Sequence, residues 1–523
     1  MTRLVIGRTA FLPSPYCVIR PLVRPHIPER LLEVHLSAVQ WYLQQVLTFC
    51  GTGGNYTKRE TTIDSLPDDL LLEIFDFNQK FCRENRVAPY VWKWDRLVHV
   101  CRRWRQLIFA SPRRLNLEIL CTEKTPVKER LCIWPAFPIV LTSYDFRSKI
   151  GSEGEDNIIA ALGHPDRICY VKLTIVRSDS DLEKMIMPMQ EPFPVLTHLR
   201  ISTNKKAPVL PAGFLGGSAP RLRDFRLHRI PFPTLPTLLL STSNLVSLSL
   251  SSIPRAGYIS PEAMAVGLAS LTRLKRLTIS FQSLSFSPDQ ISPPPVIRIL
   301  LPTLTSFSFR GARAYLENLV ARIDSPQLDR IHINYSYQLF DDPVTQLVKF
   351  IGRSISSELT QLRHARVCFF DKLFTFTMHY HPSSNWRISC QGIGLQVSDI
   401  AQSFRQFSAT LSNVVYLKLR HKEDCQIEGT DNIEWLLLLR QFSRVRSLYV
   451  SRELARCIAL LLEDISEEMV SEVLPYLDLI YLDGQPVSSL EMFVAVRQHS
   501  GRPVTVVDTK TEFSNRLESS LGE

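Results

Sequence analysis

The sequence lacks the short motifs on which most enzyme active sites are built. Its 523 residues contain no G-x-S-x-G nucleophile elbow, no H-E-x-x-H metal motif, no Walker phosphate loop and no set of protein-kinase motifs. The glycines of GTGGNYTKRETT, residues 51–62, are not followed by the Gly-Lys-Ser/Thr of a phosphate loop. We therefore expect a protein that is not an enzyme and that needs no cofactor.

Closely spaced cysteine pairs are also missing, although the chain has eleven cysteines. The absence of C-x-x-C argues against a cysteine-rich zinc site, and the odd number argues against a complete disulfide framework. Reduced, mostly buried thiols fit a protein of the cytoplasm, the nucleus or both. His379, His381 and Cys390 lie near one another in the sequence, but no further ligand pair completes a metal site, so we expect no bound metal.

No uninterrupted apolar run is long enough to cross a membrane. The best candidate, residues 31–50, contains a glutamate, a histidine and three glutamines, which are costly in lipid. The net charge of +10 is dispersed along the chain instead of gathered in one stripe, which argues against nucleic acid as a partner. Hydrophobic residues make up 45% of the chain, enough for a large folded core.

The chain does contain a recurring triplet, apolar-x-x-apolar-x-apolar, from about residue 160 onward. Its last two apolar positions are two residues apart, so they lie on one face of a short strand. The longer interval between 362 and 414 has room for one more repeat, around Trp386–Cys390. The triplets are Ile168/Val171/Leu173, Leu196/Leu199/Ile201, Leu222/Phe225/Leu227, Leu245/Leu248/Leu250, Leu274/Leu277/Ile279, Leu304/Phe307/Phe309, Leu328/Ile331/Ile333, Leu362/Ala365/Val367, Val414/Leu417/Leu419, Val445/Leu448/Val450 and Leu477/Ile480/Leu482.

Segments with helical periodicity separate these strands. Helices are expected over 260–271, 314–323, 398–411, 452–465 and 488–499. One strand and one helix in repeated alternation is typical of a solenoid. Over roughly residues 150–510 the sequence resembles the leucine-rich-repeat family, although the asparagine that usually follows the triplet is found only as Asn204. The resemblance implies a curved array of parallel strands with outer helices, and the alternative is an ordinary α/β domain with leucine-rich strands.

A different pattern precedes the repeats. Residues 66–75 read LPDDLLLEIF, where Ser65 can cap a helix and two aspartates lie in its first turn, next to the positive end of the helix dipole. Residues 97–104 read LVHVCRRW, in which the apolar residues, the cysteine and the tryptophan follow the i, i+3, i+4, i+7 spacing of one helix face. Neighbouring arginines could bind the phosphates of a nucleic acid, but only one aromatic residue lies among them. They could also activate Cys101, but this cysteine lies on the apolar stripe, where a cysteine is usually inert. Both observations favour protein docking.

Together and in this order, the two segments resemble an F-box. The resemblance implies docking on a Skp-type adaptor, which connects the F-box to a cullin scaffold and a RING partner. The repeats would then hold the protein to be ubiquitinated. The connector between the two segments, residues 76–93, is longer than the family's usual loop. By position, the resemblance assigns to adaptor binding Leu66, Pro67, Leu70, Leu71, Ile74, Leu97, Val100, Cys101 and Trp104.

Several residues that lie within or beside the triplets are basic. In a solenoid such positions point outward from the concave strand face, where partners bind. We therefore expect a protein substrate that is acidic or phosphorylated. The predicted substrate-binding residues are Arg200, Arg226, Arg276, Arg330, Lys418, Arg420 and Arg446.

The sequence thus predicts an α/β protein: an N-terminal helical F-box followed by an irregular leucine-rich-repeat-like solenoid of short parallel strands and helices. We expect a partly disordered extension and linker over 1–62, the F-box over 63–125, the solenoid over 126–510 and a tail over 511–523. The predicted function is substrate recognition within a Skp-cullin-F-box ubiquitin ligase that directs protein degradation. The alternative is a non-catalytic leucine-rich-repeat scaffold whose F-box-like segment only caps the solenoid.

Overall fold

The structure is a computed structural model in which two compact units are recognised. The first comprises residues 1–119 with 132–138, and the second comprises residues 120–131 with 139–523. Within the described residues, no helix has the length and hydropathy needed to span a membrane. The predicted extension over 1–62 and tail over 511–523 lie outside them. The structure describes residues 66–84, 94–115, 117–143, 152–175, 179–283, 298–336, 345–354, 364–370, 373–379, 385–391, 397–405, 407–421, 432–463, 472–483 and 490–508.

The first unit is helical, with helices α1 (Asp68–Glu84), α2 (Trp94–Leu97) and α3 (Arg102–Ala110). Two aspartates occupy the first turn of α1, where negative charge interacts favourably with the helix dipole. The predicted cap of this helix, Ser65, lies outside the described residues. Both segments that resemble an F-box are therefore mainly helical, as their apolar spacing indicates.

The second of these segments is not one continuous helix, and the prediction that it would be is wrong. A turn separates α2 from α3, and Cys101 is the N-cap of α3, where its Sγ accepts a hydrogen bond from the backbone N–H of Trp104 at 3.4 Å. The turn changes the helical phase. As a result Val98 is fully buried, whereas Val100 is 59% exposed and does not share a helix face with Trp104.

Aromatic rings and ion pairs hold the helices of the first unit together. The rings of Phe75 on α1 and Trp104 on α3 meet edge to face, with centroids 4.8 Å apart. Across the surface of the same helix pair, Arg103 donates to the carboxylate of Asp68 at 2.6 Å. Trp94 packs against further aromatic rings and donates from Nε1 to the carbonyl of Glu118 at 2.9 Å. These contacts leave the apolar face of α1 largely buried within the unit.

From residue 119 onward the chain alternates strands and helices. The strands are β1 (Ile119–Cys121), β2 (Ile139–Thr142), β3 (Ile168–Ile175), β4 (His198–Thr203), β5 (Asp224–His228), β6 (Ser247–Ile253), β7 (Arg276–Phe281), β8 (Ile299–Leu300), β9 (Ser306–Ala312), β10 (Ile323–Asp324), β11 (Arg330–Ser336), β12 (His364–Phe370), β13 (Leu373–His379), β14 (Asn385–Gln391), β15 (Tyr416–His421), β16 (Ser447–Val450), β17 (Leu479–Leu482) and β18 (Thr505–Asp508). The α-helices are α4 (Val127–Ile133), α5 (Ser152–Leu162), α6 (Asp179–Ile186), α7 (Leu235–Leu239), α8 (Pro261–Leu268), α9 (Arg313–Val320), α10 (Thr345–Ser354), α11 (Val397–Arg405), α12 (Ser408–Leu411), α13 (Asn432–Leu439), α14 (Arg452–Glu463) and α15 (Glu491–His499).

In the described part of the chain, all strands except β8 and β10 join one sheet. Its order is β1-β2-β3-β4-β5-β6-β7-β9-β11-β14-β13-β12-β15-β16-β17-β18, and β8 and β10 form a separate parallel pair. The last two apolar residues of every triplet lie on a strand and are buried. Strands of successive triplets pair in parallel, for example Leu199 with Phe225 and Phe225 with Leu248. This mixed α/β fold with a long, mostly parallel sheet is consistent with a leucine-rich-repeat-like solenoid.

The parallel arrangement is interrupted once. Strands β12, β13 and β14 form an antiparallel meander, so that β14 is inserted next to β11 and β12 pairs with β15. β14 contains the predicted extra repeat at Trp386–Cys390 and pairs with β11 in parallel. The antiparallel strand β13 was not among the predicted strands. The meander separates the two parallel portions of the sheet.

Threonine hydroxyl groups link successive repeats through hydrogen bonds to backbone carbonyls. Thr197 donates from Oγ1 to the carbonyl of Cys169 at 2.8 Å, and Thr303 donates to the carbonyl of Thr272 at 2.9 Å. Ser260 caps α8 as predicted, because its side chain accepts from the N–H of Ala263. The Ser260 side chain thereby satisfies an N–H group in the first turn of α8 that has no partner within the helix.

Candidate functional site

The predicted adaptor-binding residues all lie in the helical first unit, but they differ in exposure. Most are at least partly buried, so they pack within the unit as well as facing its surface. Pro67 and Val100 are the two exposed members. The buried members are Leu66, Leu71, Ile74 and Trp104, and the half-buried members are Leu70, Leu97 and Cys101.

The charged neighbours of this face take part in internal contacts. Arg103 pairs with Asp68, and Arg105 donates from Nε to the backbone carbonyl of Val98 at 2.9 Å. The thiol of Cys101 is engaged as the cap of α3. These contacts give Arg103, Arg105 and Cys101 structural roles within the helical unit.

The second predicted site is the face of the sheet that alternates with the buried triplet residues, here called the polar face. Strand pairing aligns one residue of each strand in a continuous row, the middle row, in which neighbours are about 5 Å apart at Cα. The middle row runs Lys172, Arg200, Arg226, Ser249, Thr278, Ser308, His332, Arg387, Thr377, Arg366, Lys418, Tyr449 and Tyr481. Cations are therefore concentrated at two places, on β3–β5 and around the β12–β14 meander.

At the first place, one carboxylate pairs with both predicted arginines. Asp224, whose side chain is 9% exposed, accepts from Arg200 at 2.8 Å and from Arg226 at 2.7 Å and 2.9 Å. Burial would raise the pKa of Asp224, but hydrogen bonds from Arg226 and Arg200 outweigh it and hold the pKa below its usual value. Both arginines are thus part of a charge-paired cluster, which makes them weaker candidates for an anionic partner.

The second place holds cations that the structure does not neutralise in the same way. Within the described residues, the exposed Arg366, Arg387 and Arg420 form no ion pair. Between them, the ammonium group of Lys418 lies 3.9 Å from the ring centroid of Tyr449. Burial, followed by repulsion from Arg420 and Arg366, lowers the pKa of Lys418 to about 8.

Sequence reasoning missed two members of this group. Arg366 lies between the apolar residues of the Leu362/Ala365/Val367 triplet, so the rule that selected Arg200 also points to it. Arg387 follows Trp386 in the predicted extra repeat. Only the antiparallel meander brings Arg387 into the same row as Arg366, with Thr377 between them.

The remaining predicted basic residues are spread over the sheet. Arg276 and Arg330 begin β7 and β11 and are exposed, and Arg330 lies 3.9 Å from the carboxylate of its neighbour Asp329. Arg446 is also exposed, just before β16. Among the described residues no group of three or more histidine, cysteine or acidic side chains could hold a metal ion. His381 lies outside the described residues.

No protein-family model matches the chain, and no curated protein matches it. Among solved structures, the leucine-rich repeat-containing protein LegL7 from Legionella pneumophila aligns over 74% of this chain and 99% of that chain, with 13% sequence identity and a TM-score of 0.23.

Proposed function

We propose that this protein is a non-catalytic substrate receptor of a Skp-cullin-F-box ubiquitin ligase. The observation that carries the proposal is the F-box-like pattern of residues 66–75 and 97–104, which maps onto a separate, mainly helical unit. Its exposed apolar residues, Pro67 and Val100, give the unit an uncovered surface on which an adaptor can dock. The receptor would act in the cytoplasm or nucleus.

The second unit would hold the substrate on its polar face. The predicted basic residues point to an acidic or phosphorylated protein, because charge complementarity steers such partners to a cationic surface. Support comes from the exposure of Arg276, Arg330, Arg420 and Arg446 on or beside the strands.

Adaptor docking is tested most cleanly at an exposed residue. Leu66 is only 7% exposed, so changing it also removes packing from the helical unit. Val100→Asp instead places an unpaired charge in the proposed interface and touches little of the core. Desolvating that carboxylate should weaken adaptor binding by at least about 2 kcal/mol, or roughly thirtyfold. Binding of a purified Skp-type adaptor to the full chain is measured by calorimetry, together with the thermal transition.

The matched control is Val266→Asp on α8 in the second unit. Val266 is 58% exposed against 59% for Val100, so both substitutions make the same chemical change at similar surface positions. Wild type and Val266→Asp should bind the adaptor equally. If the wild type does not bind, or if Val100→Asp binds as well as the wild type, the scaffold alternative replaces the ligase proposal.

A further inference from the structure

The cations around the meander form a compact group because of strand pairing. Arg366 on β12 pairs with Lys418 on β15, and Thr377 on β13 separates Arg366 from Arg387 on β14. Arg420 follows Lys418 by two residues, on the same face of β15. With strands about 5 Å apart, the outer Cα atoms of this row, Arg387 and Lys418, are about 15 Å apart. We call these four residues the meander cluster.

Positive charge in the meander cluster exceeds the negative charge near it. Two carboxylates lie near these four cations: Asp483 accepts from the hydroxyl of Tyr449 at 3.3 Å and attracts Lys418, and Glu453 accepts from Ser451 at 2.7 Å and attracts Arg420. By contrast, Asp224 accepts hydrogen bonds directly from its two arginines. Burial is the largest cause of the lowered pKa of Lys418, and repulsion from Arg420 and Arg366 adds to it. An added anion would relieve this repulsion.

The geometry distinguishes a phosphoryl group from a carboxylate. Planar guanidinium groups donate two parallel hydrogen bonds to one oxyanion, and the meander cluster has three such groups, on β12, β14 and β15. A phosphorylated side chain offers three acceptor oxygens and a charge near −2, whereas a carboxylate offers two oxygens and one charge. Three arginines and a lysine are therefore better matched by the phosphoryl group.

We propose that the meander cluster binds a phosphorylated serine or threonine of a partner protein, with Arg366 and Arg387 as its main ligands. The proposal deepens the substrate-receptor function and rests on it only for its biological role. Arg200 and Arg226 lie outside this site, because they are on β4 and β5 and both already pair with Asp224.

The test uses the full-length protein and an array of phosphoserine and phosphothreonine peptides, with each peptide also present unphosphorylated and with glutamate at the same position. The peptide retained most strongly is then measured in solution by fluorescence anisotropy. Arg366→Gln with Arg387→Gln should weaken its binding about tenfold or more, because charge-assisted hydrogen bonds are lost. Arg221→Gln with Arg223→Gln is the matched control, since it removes the same charge from two other exposed arginines that belong to no predicted site.

The outcomes separate this proposal from adaptor docking. Phosphate-dependent retention, lost in the Arg366/Arg387 variant and kept in the control, supports the meander cluster as a phosphoryl site. The proposal is overturned if no peptide is retained in a phosphate-dependent manner, if glutamate peptides bind as well, or if both double variants bind like the wild type. Adaptor binding of the Arg366/Arg387 variant is measured in parallel and should equal that of the wild type. A failure of phosphopeptide binding can therefore be distinguished from a failure of adaptor docking.

Discussion

Asp224 offers the sharpest test of how the polar face is held together. Its carboxylate is nearly buried and accepts from two arginines on adjacent strands, β4 and β5. In Asp224→Asn, the single amide oxygen can accept only some of the hydrogen bonds that the arginines donate. Both arginines also lose the negative charge with which they pair. Breaking a fully buried pair costs about 3–5 kcal/mol. Because the side chains of Arg200 and Arg226 are 34% and 42% exposed, solvent screening reduces the expected cost to about 1–2 kcal/mol.

The effect should be local, since each strand of this sheet pairs only with the strands beside it. Hydrogen exchange followed by mass spectrometry on the full chain is therefore the assay. Peptides that cover β4 and β5 should exchange roughly five- to thirtyfold faster in Asp224→Asn, and peptides that cover β16 and β17 should be unchanged. Asp166→Asn, a change at an exposed carboxylate, is the control and should leave both regions unchanged.

The pH dependence of this difference has a definite sign. The folded-state pKa of Asp224 is lowered, so its stabilisation is present above the unfolded pKa and is lost as pH falls through the folded pKa. The difference between wild type and Asp224→Asn in the stability of β4 and β5 should stay constant between pH 5 and 7 and become smaller below about pH 4. Equal exchange rates at β4 and β5 in the two proteins at neutral pH would refute the role assigned to Asp224.

Two further predictions concern packing and ionisation in the second unit. Gly257→Ala should lower the thermal midpoint of the full chain, since the added Cβ would lie 2.7 Å from Cα of Pro231, a backbone atom that cannot rotate away, and such overpacking costs about 1–3 kcal/mol. Gly213→Ala, where the added Cβ has no neighbour within 4 Å, should leave the midpoint unchanged or slightly raise it; equal losses in both variants would contradict the packing argument. Glu317 accepts from two backbone N–H groups at the start of α10, but burial raises its pKa to about 7, so the folded state favours its protonated form. Compared with Glu317→Gln, the wild type should lose stability as pH rises from about 4.5 to 7, by up to roughly 3 kcal/mol, and parallel denaturation curves across this range would contradict that expectation.

Much of the repeat architecture could be predicted because it depends on local periodicity. Two apolar residues spaced two apart, such as Leu277 and Ile279, point to the same face only when they lie on a strand. The last two apolar residues of every predicted triplet are accordingly buried on a strand. The start of a helix could also be predicted where a capping residue was present, as at Ser260. Local chemistry alone was sufficient at these positions.

The sequence-based prediction failed where the structure depends on a break in a helix or on a residue far away in the sequence. The apolar spacing from Leu97 to Trp104 fits one helix, yet a turn with Cys101 as the new cap buries Val98 and exposes Val100. Helical periodicity assumes an uninterrupted helix, so a phase change of this kind is invisible to it.

By itself, the sequence determined where the short strands and the helices between them form, because hydrophobic periodicity and capping are local properties of the chain. The tertiary structure alone decided which charges meet. Arg200 and Asp224 are 24 residues apart, and strand register places them within hydrogen-bonding distance. Arg366 and Arg387 share a row only because the chain doubles back through β13. Electrostatic pairing falls steeply with distance, so a neutralised cluster and a cluster open to an anion cannot be distinguished until the strands are in register.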